Sequence, residues 1–376
     1  VYGMLYGIQG LLDEQYVDLS KYIRSDLDVE ILKRTPSAFL GTCRYKLPDI
    51  HENQEIYVKI FEILNKLNIE CFIYIGGNDS MDTIKKLSDY AILTGQSQKF
   101  VGVPKTIDND LALTDHTPGY GSAAKYIATS TKEVIRDGIG FSYKKQQVII
   151  IEIMGRNAGW LTGAAALSRG EDCDGPDLIY LPELTFDIEK FTAKVRKLLV
   201  KKDVVVVAVS EGIRIQDGRY VSELGSASDY VDAFGHKQLT GTASYLANVI
   251  HRDIGCKTRA VEFSTLQRSA AHLASRVDVN EAFMVGGAAV KAADEGDSGK
   301  MVVIDRVSDD PYQCATGIYD VHKIANGEKM VPREWITKDG TYVTEEFIDY
   351  VRPLIQGDSP SVMVDGIPRH LYMGKK

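Results

Sequence analysis

The feature that most constrains the fold is a set of three continuous apolar runs, each rich in β-branched residues and followed within a few residues by glycine. They are Cys71–Ile75, Val148–Ile153 and Val204–Val209. Apolarity that is continuous rather than alternating is typical of strands covered on both faces of a parallel sheet. The three runs therefore predict buried parallel strands.

Helices are predicted between these strands, at Ser80–Leu93, Gly121–Ile135 and Asn157–Leu167, with Asp79 and Ser80 as caps of the first. Strands that alternate with helices indicate a doubly wound α/β architecture with right-handed crossovers. Ligands of such sheets bind at the carboxyl ends of the strands. A chain of 376 residues is long enough for two such domains, each with its own core.

Composition excludes some classes of function. The net charge is -8, so the broad basic surface of a nucleic-acid-binding protein is not expected. An acidic protein that binds anions must instead concentrate positive charge locally. No apolar run approaches the roughly 20 residues that span a bilayer, so no membrane partner is expected. Five scattered cysteines favour a reducing, cytoplasmic compartment. Because the chain begins at Val1 without a methionine, we expect the sequence to be a fragment.

The segment Gly76-Gly77-Asn78-Asp79-Ser80 directly follows the first apolar run and opens a helix. Two glycines allow a ligand to approach the backbone closely, and a helix N-terminus offers N–H groups to an anion. The Asp79 carboxylate would repel a phosphate unless a cation lay between them. It is therefore predicted to bind magnesium or to exclude part of a larger ligand. A tight strand-to-helix turn capped by Asp79 is the structural alternative.

A second loop, Pro104 to Asp110 with the sequence PKTIDND, carries the groups that phosphoryl transfer needs. One of its two aspartates can take a proton from an attacking hydroxyl and the other can hold a metal. Lys105 can neutralise charge on the transferred group and Thr106 can orient it. A polar turn with solvated charges is the structural alternative.

Three further segments follow later strands. Met154-Gly155-Arg156 could grip a phosphate through the guanidinium, and Ser210-Glu211-Gly212 could accept sugar hydroxyls. Arg259 and Arg268 lie nine residues apart. Each arginine alone fits a solvated or ion-paired side chain equally well. The combination of a glycine and a polar group at three strand ends is what favours a phosphotransferase.

These segments, in this order and spacing, resemble the phosphofructokinase family. The resemblance covers about residues 1–300 and includes GGNDS, PKTIDND, MGR, SEG and the segment TRAVEFSTLQR. Gly3–Leu12 and Leu40–Arg44 resemble segments that lie just after the first helix of the family. The first strand and glycine-rich donor loop of the family would precede Val1.

The resemblance implies a role for each matching residue. Asp108 would be the base that activates the sugar 1-hydroxyl, Thr106 would contact the transferred phosphoryl group, and Lys105 would neutralise it. Arg156 would stabilise the transition state. The remaining implied contacts are Met154, Gly155 and Glu211 with the sugar, Arg259 and Arg268 with the sugar phosphate, Gly77 and Arg44 with the donor phosphate, and Asp110 and Asp79 with Mg²⁺.

Two positions resemble the pyrophosphate-dependent branch of the family. Relatives that use ATP, of the bacterial type, have glycine where this chain has Asp79 and Lys105. Asp79 would clash with the α-phosphate of a nucleotide, and Lys105 would add positive charge for pyrophosphate. The chain departs from the family at Asn78, Gln147 and Thr265, where relatives have Asp, a phosphate-binding Arg and His.

The resemblance also implies the architecture: two Rossmann-like three-layer α/β/α domains with a peripheral C-terminal extension. Residues 1–122 and about 266–300 would form the donor domain, residues 123–265 the fructose 6-phosphate domain, and about 301–376 the extension. The implied partners are fructose 6-phosphate, pyrophosphate and further copies of the chain, in a homodimer or homotetramer with shared active sites.

The implied reaction is phosphoryl transfer from pyrophosphate to fructose 6-phosphate, in glycolysis and reversibly in gluconeogenesis. An ATP-dependent 6-phosphofructokinase and a non-catalytic regulatory subunit are the alternatives. Loss of Asp108 would mark the regulatory subunit, and Asp108 is present. A dinucleotide-binding protein ranks last, because no G-x-G-x-x-G follows a strand.

Overall fold

The computed structural model describes residues 1–143, 145–225, 241–324 and 327–373. The β-strands in these residues are β1 Tyr2–Met4, β2 Tyr16–Asp18, β3 Cys71–Gly76, β4 Lys99–Pro104, β5 Gln147–Ile153, β6 Leu178–Tyr180, β7 Val204–Ser210, β8 Lys257–Glu262, β9 Lys300–Asp309, β10 Tyr312–Asp320, β11 Met363–Val364 and β12 Ile367–Pro368. The α-helices are α1 Gly7–Leu12, α2 Asp26–Lys33, α3 Gln54–Lys66, α4 Asn78–Thr94, α5 Tyr120–Gly140, α6 Trp160–Gly163, α7 Ile188–Leu199, α8 Thr242–Ile254, α9 Arg276–Asp294 and α10 Glu345–Val351.

Two four-stranded sheets organise the molecule. The first has the order β10-β9-β4-β3, with β3, β4 and β9 parallel and β10 antiparallel to β9. The second, β6-β7-β5-β8, is parallel throughout. Every residue of β5 and β7 is buried, because helices cover both faces of this sheet. The three predicted strands are confirmed, and so is the α/β class.

The boundaries of all three predicted helices differ from the prediction, and α5 continues five residues beyond the predicted end at Ile135. Helix α4 begins at Asn78 with Gly77 in the capping position, so Asp79 lies in the first turn and does not cap it. The helix predicted at 157–167 is reduced to α6 and a short 3₁₀ turn, Ala164–Ser168. Residues 157–159 stay outside the helix, and the Gly159 N–H donates to the Glu183 carboxylate at 2.8 Å.

The C-terminal part is less peripheral than expected. Strands β9 and β10 belong to the first sheet, and residues 301–304 of β9 are fully buried in it. After Asp320 the chain packs on both cores, with Val321 and Ile324 on the first and α10 on the second. We retain the two-domain division as a proposal, with residues 300–320 added to the donor domain.

Within the described ranges, no helix combines the length and the apolarity that crossing a bilayer requires.

Candidate active site

One side of the candidate site forms where β3 and β4 end next to each other. Gly76 and Pro104 are paired in the parallel register, and the Lys105 N–H donates to the Gly76 carbonyl at 3.0 Å. A Cβ added to Gly77 would lie 3.6 Å from the Lys105 carbonyl oxygen. The two predicted loops, GGNDS and PKTIDND, are therefore in direct contact. Asp79 and Lys105 are both exposed at this junction.

The loop after β4 is held by its own side chains. The Thr106 hydroxyl accepts from the Asp108 N–H at 3.1 Å and donates to the Asp108 carboxylate at 3.1 Å. Asn109 between the two aspartates has a φ of 55° and is fully buried. Its side-chain oxygen accepts from the Thr117 N–H at 3.1 Å. A left-handed residue fixed in this way turns the chain sharply between Asp108 and Asp110.

The other side of the candidate site forms where β5 and β7 end. The Glu211 N–H donates to the Ile153 carbonyl at 2.9 Å, and the Ser210 hydroxyl donates to the Gly155 carbonyl at 2.5 Å. Gly155 has a φ of 128°, a conformation that essentially only glycine adopts. Gly212 packs directly against the backbone of Arg156. The MGR and SEG segments thus form one unit.

Electrostatics joins the two sides around Asp108. Burial raises the pKa of Asp108, while the Thr106 hydroxyl and the charges of Lys105, Arg156 and Arg268 act in the opposite direction without cancelling it. These cations come from three different strand ends. A buried carboxylate with a raised pKa beside several cations is the environment of a general base that serves an anionic substrate.

Two other carboxylates of the site have raised pKa values. Burial, Asp108 and Glu328 raise the pKa of Asp110 to about 6. Burial and the neighbouring Glu152 raise the pKa of Glu211 to about 7. In both cases a neighbouring carboxylate adds to the effect of burial, and a cationic or hydroxyl-bearing ligand would stabilise the ionised form.

Other predicted residues lie outside this group. Arg259 is exposed on β8, the edge strand of the second sheet, and pairs with Asp137 at 3.1 Å. Gln147 cannot take over phosphate binding, because its buried amide donates to the Gly138 carbonyl at 2.5 Å. Arg44 is exposed in the loop after Gly41, and Thr265 is exposed in the turn after β8.

The sequence prediction missed two side chains that support the site. The buried Gln267 amide oxygen accepts from the Met154 N–H at 3.3 Å, which ties the turn of Arg268 to the MGR segment. Lys329 from the C-terminal part donates from its main chain to the Asp110 carbonyl at 2.8 Å. Its ammonium lies 2.5 Å from the Asp115 carbonyl. Gln267 stands in the segment TRAVEFSTLQR but was not singled out there, and Lys329 lies outside every motif of the sequence analysis.

The side chains of the candidate site match the ligands of a hard metal cation only in part. No group of three or more His, Cys, Asp or Glu residues able to hold a metal occurs in the described ranges. The crowded carboxylates around Asp110 nevertheless supply oxygen ligands and uncompensated charge. Magnesium commonly binds through one or two carboxylates, with phosphates and water completing its shell. The residues therefore fit a metal that arrives with a phosphate ligand.

A comparison with family models decides the family: the model described as Phosphofructokinase matches residues 1–293. The chain belongs to the phosphofructokinase family. The predicted resemblance is thereby confirmed.

The names of related proteins state the phosphoryl donor that those proteins use. A protein of Halomonas elongata named pyrophosphate–fructose 6-phosphate 1-phosphotransferase is 40% identical over 375 residues, which is 100% of this chain and 88% of the relative. One of Xanthomonas campestris with the same name is 42% identical, over 98% of this chain and 87% of the relative. The crystal structure of a pyrophosphate-dependent phosphofructokinase from Nitrosospira multiformis matches with a TM-score of 0.88 at 36% identity, covering 98% of this chain and 86% of that one.

Proposed function

We propose that this phosphofructokinase transfers a phosphoryl group from inorganic pyrophosphate to the 1-hydroxyl of fructose 6-phosphate. The products are fructose 1,6-bisphosphate and phosphate. The proposal is carried by the loop that holds Asp108 through Thr106, and by the positive charges of Lys105, Arg156 and Arg268, which all act on the Asp108 carboxylate. The names of the relatives supply the donor and the acceptor.

Asp108 accepts the proton of the 1-hydroxyl as the sugar oxygen attacks phosphorus and the P–O–P bridge breaks. Its raised pKa makes it a stronger base than an exposed aspartate. Lys105 and Arg156 stabilise the charge on the transferred group, as fixed cations do in phosphoryl transfer. Thr106, whose hydroxyl already bonds Asp108, contacts the same group and keeps the carboxylate in place.

Asp110 and Asp79 would hold Mg²⁺ together with the pyrophosphate oxygens. The ion, when bound, offsets the charge of the donor and of its leaving phosphate. Burial next to Asp108 and Glu328 keeps the pKa of Asp110 near 6, so this carboxylate is ionised at neutral pH and available for a cation.

Donor selection follows from the junction of the two donor loops. Asp79 in the first turn of α4 and Lys105 after β4 are both exposed there. The carboxylate of Asp79 repels a third phosphate, whereas Lys105 adds a positive charge for the shorter donor. Gly77 allows the donor to approach the backbone, and Arg44 contributes a second cation.

On the acceptor side, Glu211 accepts hydrogen bonds from sugar hydroxyls, Met154 and Gly155 pack against the sugar, and Arg268 binds its 6-phosphate. Arg259 is exposed on an edge strand and pairs with Asp137 within the same chain. We assign Arg259 to the active site of a neighbouring subunit, which makes the active unit a homodimer or homotetramer. Five free cysteines fit a reducing cytoplasm.

The test is a product assay with fructose 6-phosphate and either pyrophosphate or ATP, on the wild type and on Asp108→Asn. We expect fructose 1,6-bisphosphate with pyrophosphate, and a kcat at least about 10²-fold lower in the variant, as for loss of a general base. The sugar-phosphate KM should change much less. Near-normal turnover of Asp108→Asn would remove Asp108 from this role, and absence of product with pyrophosphate would refute the function.

A further inference from the structure

A buried histidine behind the active site is clamped between two carboxylates. His116 is 0% exposed, and its Nδ1 lies 2.7 Å from Asp115. Its Nε2 lies 2.7 Å from Glu281 on helix α9. An imidazole can donate from both nitrogens only when it is protonated. The geometry fits an imidazolium that donates to both carboxylates.

The surroundings balance the charges of this cluster. Arg306 on β9 donates to Asp115 at 3.0 Å. From β10, the Tyr312 hydroxyl and the Cys314 thiol contact the second oxygen of Glu281 at 2.7 Å and 3.2 Å. With His116 protonated, two acids face two bases and the buried cluster is neutral. Three further titratable groups face it, namely Asp278 on α9 and the C-terminal Lys329 and Tyr350.

The pKa values follow this arrangement. Burial lowers the pKa of His116, but the bonds from Asp115 and Glu281 outweigh it, and the net pKa is above the ordinary value. Burial raises the pKa of both acids, but their hydrogen bonds outweigh it and the net pKa of each is lowered. All three shifts favour the charged forms of His116, Asp115 and Glu281.

The cluster is connected to the catalytic loop through the next residue, Thr117. The Thr117 hydroxyl donates to the Thr106 carbonyl at 2.6 Å, and its N–H donates to Asn109 at 3.1 Å. Thr106 and Asn109 are the two residues that hold Asp108 in place on either side. A shift of the backbone at His116 would therefore move the proposed base.

We propose that His116 and Glu281 are positioning residues of the reaction. The hydrogen bond between them ties the segment of His116 to helix α9, and so holds Thr117, and through it Asp108, in the productive geometry. This inference rests on the proposed function, because its readout is phosphoryl transfer. Neither residue touches the substrates; both act through the loop that carries the base.

The two hydrogen bonds of His116 depend on pH. A neutral imidazole has one N–H, so on deprotonation one of the two carboxylates faces a lone pair and is repelled. Since the folded pKa is raised, the link is intact below the ordinary pKa of histidine and is lost as pH rises through the folded value. Alkaline pH should therefore lower kcat before it unfolds the protein.

Glu281→Gln separates this effect from general stability. The amide keeps its oxygen for Tyr312 and Cys314 and turns its NH₂ toward Nε2, so a neutral His116 satisfies both partners at every pH. We expect kcat of the wild type to fall about tenfold through the alkaline range. A displacement of about 1 Å costs about 10²-fold in rate, and the shift expected here is smaller. In Glu281→Gln we expect less than about a twofold fall attributable to this step.

Two more variants complete the experiment. Glu281→Ala breaks the link at every pH and should have a low kcat, about tenfold down, without the alkaline step and with little change in the KM values. Tyr312→Phe leaves the His116 link in place and should keep the wild-type profile. Circular dichroism and the melting temperature are recorded at each pH, so that only folded protein is compared.

If kcat falls equally at alkaline pH in the wild type and in Glu281→Gln, and both proteins are folded, the inference is overturned. A wild-type kcat in folded Glu281→Ala would do the same. If Glu281→Ala does not fold, the comparison of wild type, Glu281→Gln and Tyr312→Phe still decides. A wild type without pyrophosphate-dependent activity would instead refute the proposed function, so the two failures are distinguishable.

Discussion

Gly212 offers a sharp test of how tightly the site is built. A Cβ added there would lie 2.0 Å from the Arg156 carbonyl oxygen and 2.6 Å from its carbon. Side-chain carbons essentially never come within 3.0 Å of a neighbour in this way, so one segment must give. The obstacle is backbone rather than a flexible side chain, and Gly212→Ala should therefore displace the Arg156 peptide by about 1 Å.

The magnitude follows from this displacement. A misplacement of about 1 Å costs up to about 10² in rate, equivalent to roughly 2.7 kcal/mol of barrier. Overpacking should also destabilise the fold by about 1–3 kcal/mol. Because Arg156 is proposed to act on the transferred group, we expect the loss mainly in kcat and less in the KM for fructose 6-phosphate.

The assay is steady-state formation of fructose 1,6-bisphosphate from pyrophosphate, with the melting temperature measured in parallel. Gly287→Ala is the matched control, since a Cβ at this exposed position of α9 meets nothing within 4 Å. It should keep the wild-type kcat. A folded Gly212→Ala protein whose kcat stays within about threefold of wild type would refute the role of Arg156 geometry.

Two other predictions concern Glu211 and the assembly. The pKa of Glu211 is raised to about 7, so its contribution to stability is present at low pH and is lost as pH rises through that value. Glu211→Gln should therefore unfold at a higher denaturant concentration than wild type at pH 8 and at the same concentration near pH 4.5. It should also bind fructose 6-phosphate more weakly. An unfolding midpoint at pH 8 equal to that of wild type would contradict the raised pKa. If Arg259 serves the neighbouring subunit, mixing the inactive variants Asp108→Asn and Arg259→Ala under subunit exchange should restore activity, whereas no recovery after proven exchange would exclude a shared site.

Much of the frame could be predicted because its signals are local. Val148–Ile153 and Val204–Val209 contain almost nothing but apolar side chains, most of them β-branched, and this favours a strand covered on both faces. The residue types of the loop PKTIDND left a polar turn open, and its resemblance to a motif of the phosphofructokinase family decided the prediction. The boundaries of α4 were predictable to within two residues.

The rest depended on tertiary contacts. The helix predicted from Asn157 starts only at Trp160, and the N–H of Gly159 just before it is bound by Glu183, 24 residues beyond Gly159 in the chain. Strand β9 contains the apolar run at residues 301–304, but its place in the first sheet depends on pairing with the distant strand β4. The burial of Lys329 and of His116 likewise has no counterpart in the neighbouring sequence.

The central claim is that Asp79 and Lys105 select pyrophosphate at the junction of the two donor loops. The most direct measurement is the ratio of kcat/KM for pyrophosphate to kcat/KM for ATP, at saturating fructose 6-phosphate, in the wild type and in Asp79→Gly. We predict that the wild type prefers pyrophosphate and that the ratio falls in the variant, because the carboxylate that repels a longer donor is gone. A wild type that prefers ATP, or a ratio unchanged in a folded Asp79→Gly protein, would contradict the claim.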